Sequence, residues 1–167
     1  MPDEDGFRRW AEERQLALLR TAVLLTGDRQ RAEDLVQEAL TQVALRWRRL
    51  ADEHPDAYAR QVIVRRNISW WRKHRREVVA DVPDLGASTG AEASADRRML
   101  LDLALDRLSP RQRATVVLRY YDDLSERETA DVLGVSVGTV KSQTHVALRR
   151  LREASPELAD LLGEDSR

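Results

Sequence analysis

Two neighbouring indoles, Trp70 and Trp71, lie inside a stretch that carries Arg65, Arg66, Arg72, Lys73, Arg75 and Arg76 and no acid between Val64 and Arg76. Clustered cations neutralise phosphates. Aromatic rings can stack on unpaired bases. A second basic stretch runs from Lys141 to Arg152 with Lys141, Arg149, Arg150 and Arg152, again without an acid. Between its cations sit Gln143 and His145, side chains that can hydrogen-bond base edges. Both sets point to nucleic-acid binding. Bond-making chemistry has no comparable candidates. His54, His74 and His145 are far apart in the chain and cysteine is absent. No glycine loop for phosphate and no nucleophile motif occurs. No catalytic residue, metal ligand or cofactor site is expected, and thiol chemistry is excluded.

The net charge of −1 conceals this segregation. Glu77 to Asp96 carries Glu77, Asp81, Asp84, Glu92 and Asp96 with no base, and the tail from Glu153 is mostly acidic. Basic surfaces therefore alternate with acidic connectors, the local pattern of a nucleic-acid-binding chain. No apolar run approaches the roughly 20 residues that span a bilayer. The N-terminus is acidic, unlike a signal peptide. A cytoplasmic protein with no membrane association is expected.

The elements that must position these residues all read as helices. Glycine is scarce, at 7 of 167 residues. A first helix is expected from about Phe7 to Leu25. Asp28 can cap a second, whose Ala32, Leu35, Val36, Ala39, Leu40, Val43, Ala44 and Trp47 follow the three-four spacing of one apolar stripe. Its other face carries Asp34, Gln37 and Glu38. Pro55 suits the first turn of a third helix. On a helical wheel Arg65, Arg66, Arg72, Lys73 and Arg76 share one side of it. Ala59, Ile63, Val64, Ile68, Trp70 and Trp71 share the other. Trp71 fits the core, whereas Trp70, nearer the edge, suits either the core or a base stack.

From Val79 to Ala95 the composition turns small and acidic, as in a flexible linker. A second helical unit follows. Ser109-Pro110-Arg111-Gln112 and Ser125-Glu126-Arg127-Glu128 are capping boxes. The stretch "SERETADVLGVSVGTVKSQTHVALRRLR" has the organisation of a helix-turn-helix. Ala130 lets the helices approach, and Gly134 suits a left-handed turn. Leu133, Val135, Val140, Leu148 and Leu151 form its buried side. Ser136 caps the second helix, which presents Gly138, Thr139, Lys141, Ser142, Gln143, His145 and Arg149. The expected fold is therefore all-α, with two small helical domains at 1–78 and 96–153, a linker at 79–95 and an acidic tail at 154–167.

"AEDLVQEAL" from Ala32 and "LSPRQRATVVLRYYDDLSERETADVLGVSVGTVKSQTHVALRRLR" from Leu108 together resemble the extracytoplasmic-function (ECF) sigma factors, in the sigma-70 family of bacterial RNA polymerase subunits. "LLRTAVLLTGD" and "SWWRK" resemble the actinobacterial subgroup labelled SigE family. The likeness covers about Phe7 to Arg152. It implies an alternative sigma factor that joins core RNA polymerase, selects promoters and helps open the DNA. It implies that Asp34, Gln37 and Glu38 dock on the clamp helices of the beta-prime subunit, and that the C-terminal domain meets the flap of the beta subunit. Arg65, Arg66, Trp70, Arg72, Lys73 and Arg76 would engage the minus-ten element of promoter DNA. Ser136, Thr139, Lys141, Ser142, Gln143, His145 and Arg149 would engage the minus-35 element. The loop at Arg48 to Asp56 would capture a flipped base, and an anti-sigma factor is a further implied partner. This chain departs from the family pattern at Arg65 and Ser69, where many members carry asparagine and aspartate. It departs again at Gln143, where many carry arginine. Two other readings remain at this stage: a stand-alone helix-turn-helix regulator, dimeric on a two-fold site, and a helical adaptor.

Overall fold

The computed structural model describes residues 2–74 and 92–157, and every element among them is helical. The N-terminal half holds α1 (Pro2–Thr26), α2 (Arg29–Leu45), a single turn α3 (Trp47–Leu50) and α4 (Pro55–His74). Gly27, at φ 68°, reverses the chain after α1. Asp28 then accepts the Arg31 amide at 3.1 Å, and so caps α2. The expected stripe on α2 is inward: Ala32, Val36, Ala39 and Val43 are buried. They meet Leu18, Ala22 and Leu25 of α1 and Ala59, Ile63 and Val64 of α4. Full burial of each larger aliphatic side chain contributes about 1.5–3 kcal/mol. Phe7, Trp10 and Trp47 close the end of this bundle, with ring centroids 5.6–6.0 Å apart.

The C-terminal half holds α5 (Glu92–Asp106), α6 (Pro110–Val116), a π-helical turn at Val117–Tyr121, α7 (Glu126–Leu133) and α8 (Val137–Ala154). Both expected capping boxes form, Ser109 with Gln112 and Ser125 with Glu128. Gly134 takes the left-handed conformation, φ 68° and ψ 37°, that turns α7 into α8. Val140 and Leu151 are buried as expected, while Leu133, Val135 and Leu148 are half-buried. A second cluster of Ala104, Leu105, Leu108, Val116, Ala147 and Leu151 holds α5, α6 and α8 together. The π-turn has no signal in the sequence. It leads into Asp123, a non-glycine residue at φ 53°.

The two halves expected from the sequence are both present, and they pack against each other. Ala114, Val117, Leu118 and Val132 belong to the same buried cluster as Ile63 and Leu18. Arg113, only 3% exposed, donates from Nε to the Leu24 carbonyl at 2.6 Å and from Nη1 to Asp106 at 2.7 Å. Asp122 accepts from Thr21 Oγ1 at 2.6 Å and from Arg60 Nε at 3.2 Å. Residues 75–91, which include 79–91 of the expected 79–95 linker, and the tail beyond 157 lie outside the described residues. The end of the expected linker is helical instead, because α5 already starts at Glu92.

Arg113→Ala should leave the Leu24 carbonyl without its partner and open a void between the halves. We expect a loss of about 2–3 kcal/mol in urea unfolding.

Candidate nucleic-acid interface

The polar face of α2 is built by helical spacing. Asp34 and Gln37 are exposed one turn apart, and Glu38 is half-buried beside them. Gln30 Nε2 donates to Asp34 at 3.4 Å. Glu38 is bound across the bundle, its Oε1 2.8 Å from Arg66 Nη2 on α4. Both partners keep substantial solvent contact, so this pair contributes less than about 1 kcal/mol. It nonetheless links the acidic face of α2 to the basic face of α4.

Along α4 the cations divide into two groups. Arg65 and Arg66 are exposed but engaged: Arg66 meets Glu38, and Arg65 Nη2 would stand 3.0 Å from any Cβ placed on Gly134. Arg72 and Lys73 are exposed in the last turn with no acidic partner among the described residues. Cations there also suit the negative end of the helix dipole. Arg76 lies outside the described residues.

Both tryptophans are half-buried, and neither enters the main core. Trp71 thus departs from the expected core position: it is half-buried and stands edge-on to Trp70 at 5.2 Å, in the last turns of α4. Trp70 has other neighbours. The Arg31 guanidinium carbon lies 3.3 Å from its ring centroid. The His74 ring stacks on it at 4.2 Å and 15°. A guanidinium over an indole face is held by the ring quadrupole.

Arg31 is in turn fixed by Asn67, whose Oδ1 accepts from Nη2 at 2.8 Å. Asn67, 1% exposed, donates its Nδ2 to the Leu25 carbonyl at 3.2 Å. Burial pushes the Arg31 pKa below its usual value, with Asp28 opposing that shift and Arg113 adding to it. Arg31 and Asn67 carry no motif that marks them. Their signal was indirect: Asn67 falls on the buried face of an amphipathic helix, where an amide needs partners.

In the C-terminal half the recognition helix α8 gathers its expected residues on one surface. Lys141, Ser142, His145 and Arg149 are exposed, and Thr139 and Gln143 are half-buried. Ser136 Oγ accepts the Thr139 amide at 3.1 Å and also meets Thr139 Oγ1 at 2.9 Å, so both hydroxyls serve the cap. Ser142 donates to the Thr139 carbonyl at 3.0 Å. Lys141 lies 3.8 Å from Glu126 on α7. Among the described residues no cluster of three metal-ligating side chains occurs, and no helix is long and apolar enough to cross a membrane.

The model for sigma-70 region 2 matches residues 10–77, and the model for sigma-70 region 4 matches residues 98–151. The RNA polymerase sigma-E factor of Streptomyces avermitilis is 44% identical over 150 residues, covering 88% of this chain and 83% of that protein. The chain belongs to the extracytoplasmic-function sigma factors. The ECF RNA polymerase sigma factor SigL of Mycobacterium tuberculosis is 38% identical to this sigma factor over 155 residues, covering 88% and 87% of the two chains. Among solved structures, the sigma factor RpoE in complex with the anti-sigma factor NepR from Bartonella quintana matches with a TM-score of 0.70 at 25% identity, over 90% of this chain and 97% of that one. CnrH in complex with the cytosolic domain of CnrY shares the fold, with a TM-score of 0.62 at 20% identity over 96% and 89% of the two chains. This is an alternative sigma factor, whose regions 2 and 4 fall in the two helical units described above.

In this sigma factor Asn67→Ala should strand the Leu25 carbonyl and release Arg31 from Trp70. The expected cost is about 2 kcal/mol in urea unfolding, with a shift in tryptophan emission.

Proposed function

We propose that Asp34, Gln37 and Glu38 form the polymerase-docking face, meeting the clamp helices of the beta-prime subunit, while the region 4 half meets the flap of the beta subunit. One observation carries the reading: a single chain holds region 2 and region 4 in order, and each ends in an exposed basic helix. Arg65, Arg66, Arg72, Lys73 and Arg76 then bind phosphates at the minus-ten element. Trp70 works as a braced edge rather than a free stacking plate, because Arg31 and His74 already occupy ring surface. On α8, Lys141 and Arg149 contact phosphates or guanine at the minus-35 element, Gln143 and His145 reach base edges, and Ser136, Thr139 and Ser142 hold the helix start against the backbone. The domains proposed with this division are 1–78 and 96–153, with α5 reaching back to Glu92 before the second.

RNA synthesis belongs to the polymerase, so this chain acts without catalytic residues, metal or cofactor of its own. It works in the cytoplasm, where promoter and polymerase meet. An anti-sigma partner is supported by the complexes in which RpoE and CnrH were solved.

Gel filtration with sigma-free core polymerase tests the docking face. The native chain should co-elute with core. The combined variant Asp34→Arg, Gln37→Ala and Glu38→Arg should elute alone while keeping its helical signal. A native chain that never joins core but shifts duplex DNA would defeat the proposal. Promoter selection from random DNA tests α8: Gln143→Arg should move the preferred base at one minus-35 position from adenine toward guanine, a discrimination of about 1–3 kcal/mol.

A further inference from the structure

Residues 51–54 join α3 to α4, and all of them are exposed. The chain enters this loop from Trp47 and Leu50. Leu50 is 4% exposed, and the Ala51 amide donates to the Trp47 carbonyl at 2.8 Å. It leaves through Pro55, whose ring fixes its own φ and disfavours helical backbone at His54. Asp56 follows in the first turn of α4. Its Oδ1 accepts from Trp10 Nε1 at 2.8 Å, and its Oδ2 lies 3.3 Å from Arg14 Nε. Both carboxylate oxygens are therefore committed to α1. The same Trp10 packs on Trp47, with ring centroids 5.7 Å apart, and Phe7 stands edge-on to Trp47 at 5.6 Å. One side chain of α1 thus touches both stems of the loop.

The loop itself presents Asp52, Glu53 and His54. Carboxylates there can accept from the exocyclic amino group of a base. Beside the loop, Trp10, Arg14, Arg49, His54, Tyr58 and Arg60 line part of a cleft of about 760 Å³. Cations for a phosphate and aromatic rings for a base are both present in it. Such acceptors discriminate only when they point in fixed directions, because a hydrogen bond weakens steeply with misalignment. An exposed loop has few contacts of its own to fix those directions. Its posture must come from the stems. Of the two ties on Asp56, the one to Arg14 is half in solvent and holds weakly. The indole N–H on a carboxylate is directional and charge-assisted. A phenylalanine at position 10 would keep the packing on Trp47 and lose that donor.

We propose that Trp10 is a positioning residue for base selection: it holds Asp56 through its N–H and Trp47 through its ring, and so sets the loop at 51–54 in the posture that reads one base of the minus-ten element. The loop supplies the acceptors, and Trp10 acts through the stems. This gives the first helix, which carries none of the basic clusters, a part in promoter choice. The proposal rests on α4 and the loop beside it facing the minus-ten element.

Promoter selection with core polymerase supplies a preferred sequence, and single-base variants of that promoter give a discrimination ratio at each position from transcript yields. Asp52→Ala combined with Glu53→Ala should change the ratio at one minus-ten position, which marks the base that the loop reads. Trp10→Phe should lower the ratio at that position at least about threefold. It should leave the ratios at the minus-35 positions unchanged and the urea midpoint near that of the native chain. Asp56→Ala should act in the same way. Asp56→Asn keeps an oxygen for the indole and should retain most of the discrimination. An unaltered ratio in Trp10→Phe would overturn the proposal. So would an equal fall at every position of both elements, the mark of a general structural loss. If the Asp52 and Glu53 substitutions change no minus-ten preference, the loop reads no base and the positioning role falls, while the minus-ten reading of α4 stands. A native chain that shows no minus-ten preference at all would defeat that reading, and the proposal with it.

Discussion

Burying an arginine is the constraint around which the two halves are arranged. Arg113 is 3% exposed, and a guanidinium taken out of water must find acceptors in fixed directions. It finds one in the Leu24 carbonyl at the end of α1, where helix carbonyls lack intrahelical partners and the dipole is negative. The second is Asp106 at the end of α5. A single side chain of α6 thereby joins the last turns of two other helices. Gly27 completes the arrangement: a Cβ there would stand 3.3 Å from Arg113 Nη2, so the residue that reverses the chain also makes room for the cation. The apolar residues of α6 and the π-turn then have only one place to go, against α1 and α4.

The same logic divides the charges of α4. Two cations in its middle are paired within the molecule, Arg60 with Asp122 and Arg66 with Glu38, while Arg65 is exposed beside the Gly134 turn. Cations at its end, Arg72 and Lys73, face solvent. Between them Trp70 is held by Arg31, and Arg31 by Asn67, a chain of contacts that starts at the Leu25 carbonyl. Arg113 and Asn67 thus take neighbouring carbonyls at the end of α1. The packing of the halves and the posture of the tryptophan share one structural foundation.

Much of this was legible in the residues. The stripe on α2, the capping serines, the left-handed Gly134 and the exposed face of α8 all depend on spacings of three or four residues, or on one backbone conformation. The exposure of Asp34 and Gln37 on one face of α2 followed from the same periodicity. The expected core position of Trp71 did not hold, because a helical wheel gives a residue's direction and not how far its neighbours cover it, and Trp71 is only half-buried. The π-turn at Val117–Tyr121 was invisible, since a single extra residue per turn leaves no compositional mark.

By itself the sequence determined the all-helical class, the sigma-factor family, the order of its two regions and the identity of the basic surfaces. These properties are local, and each is set by residues that are near neighbours in the chain. The tertiary structure alone decided which cations are free, what holds Trp70 and how the halves meet. The contacts responsible join residues 62 and 101 positions apart, as in Arg60 with Asp122 and Thr21 with Asp122. No periodicity reaches across such separations. They depend on where several helices end in space, and the partners of a buried polar group are chosen by that geometry.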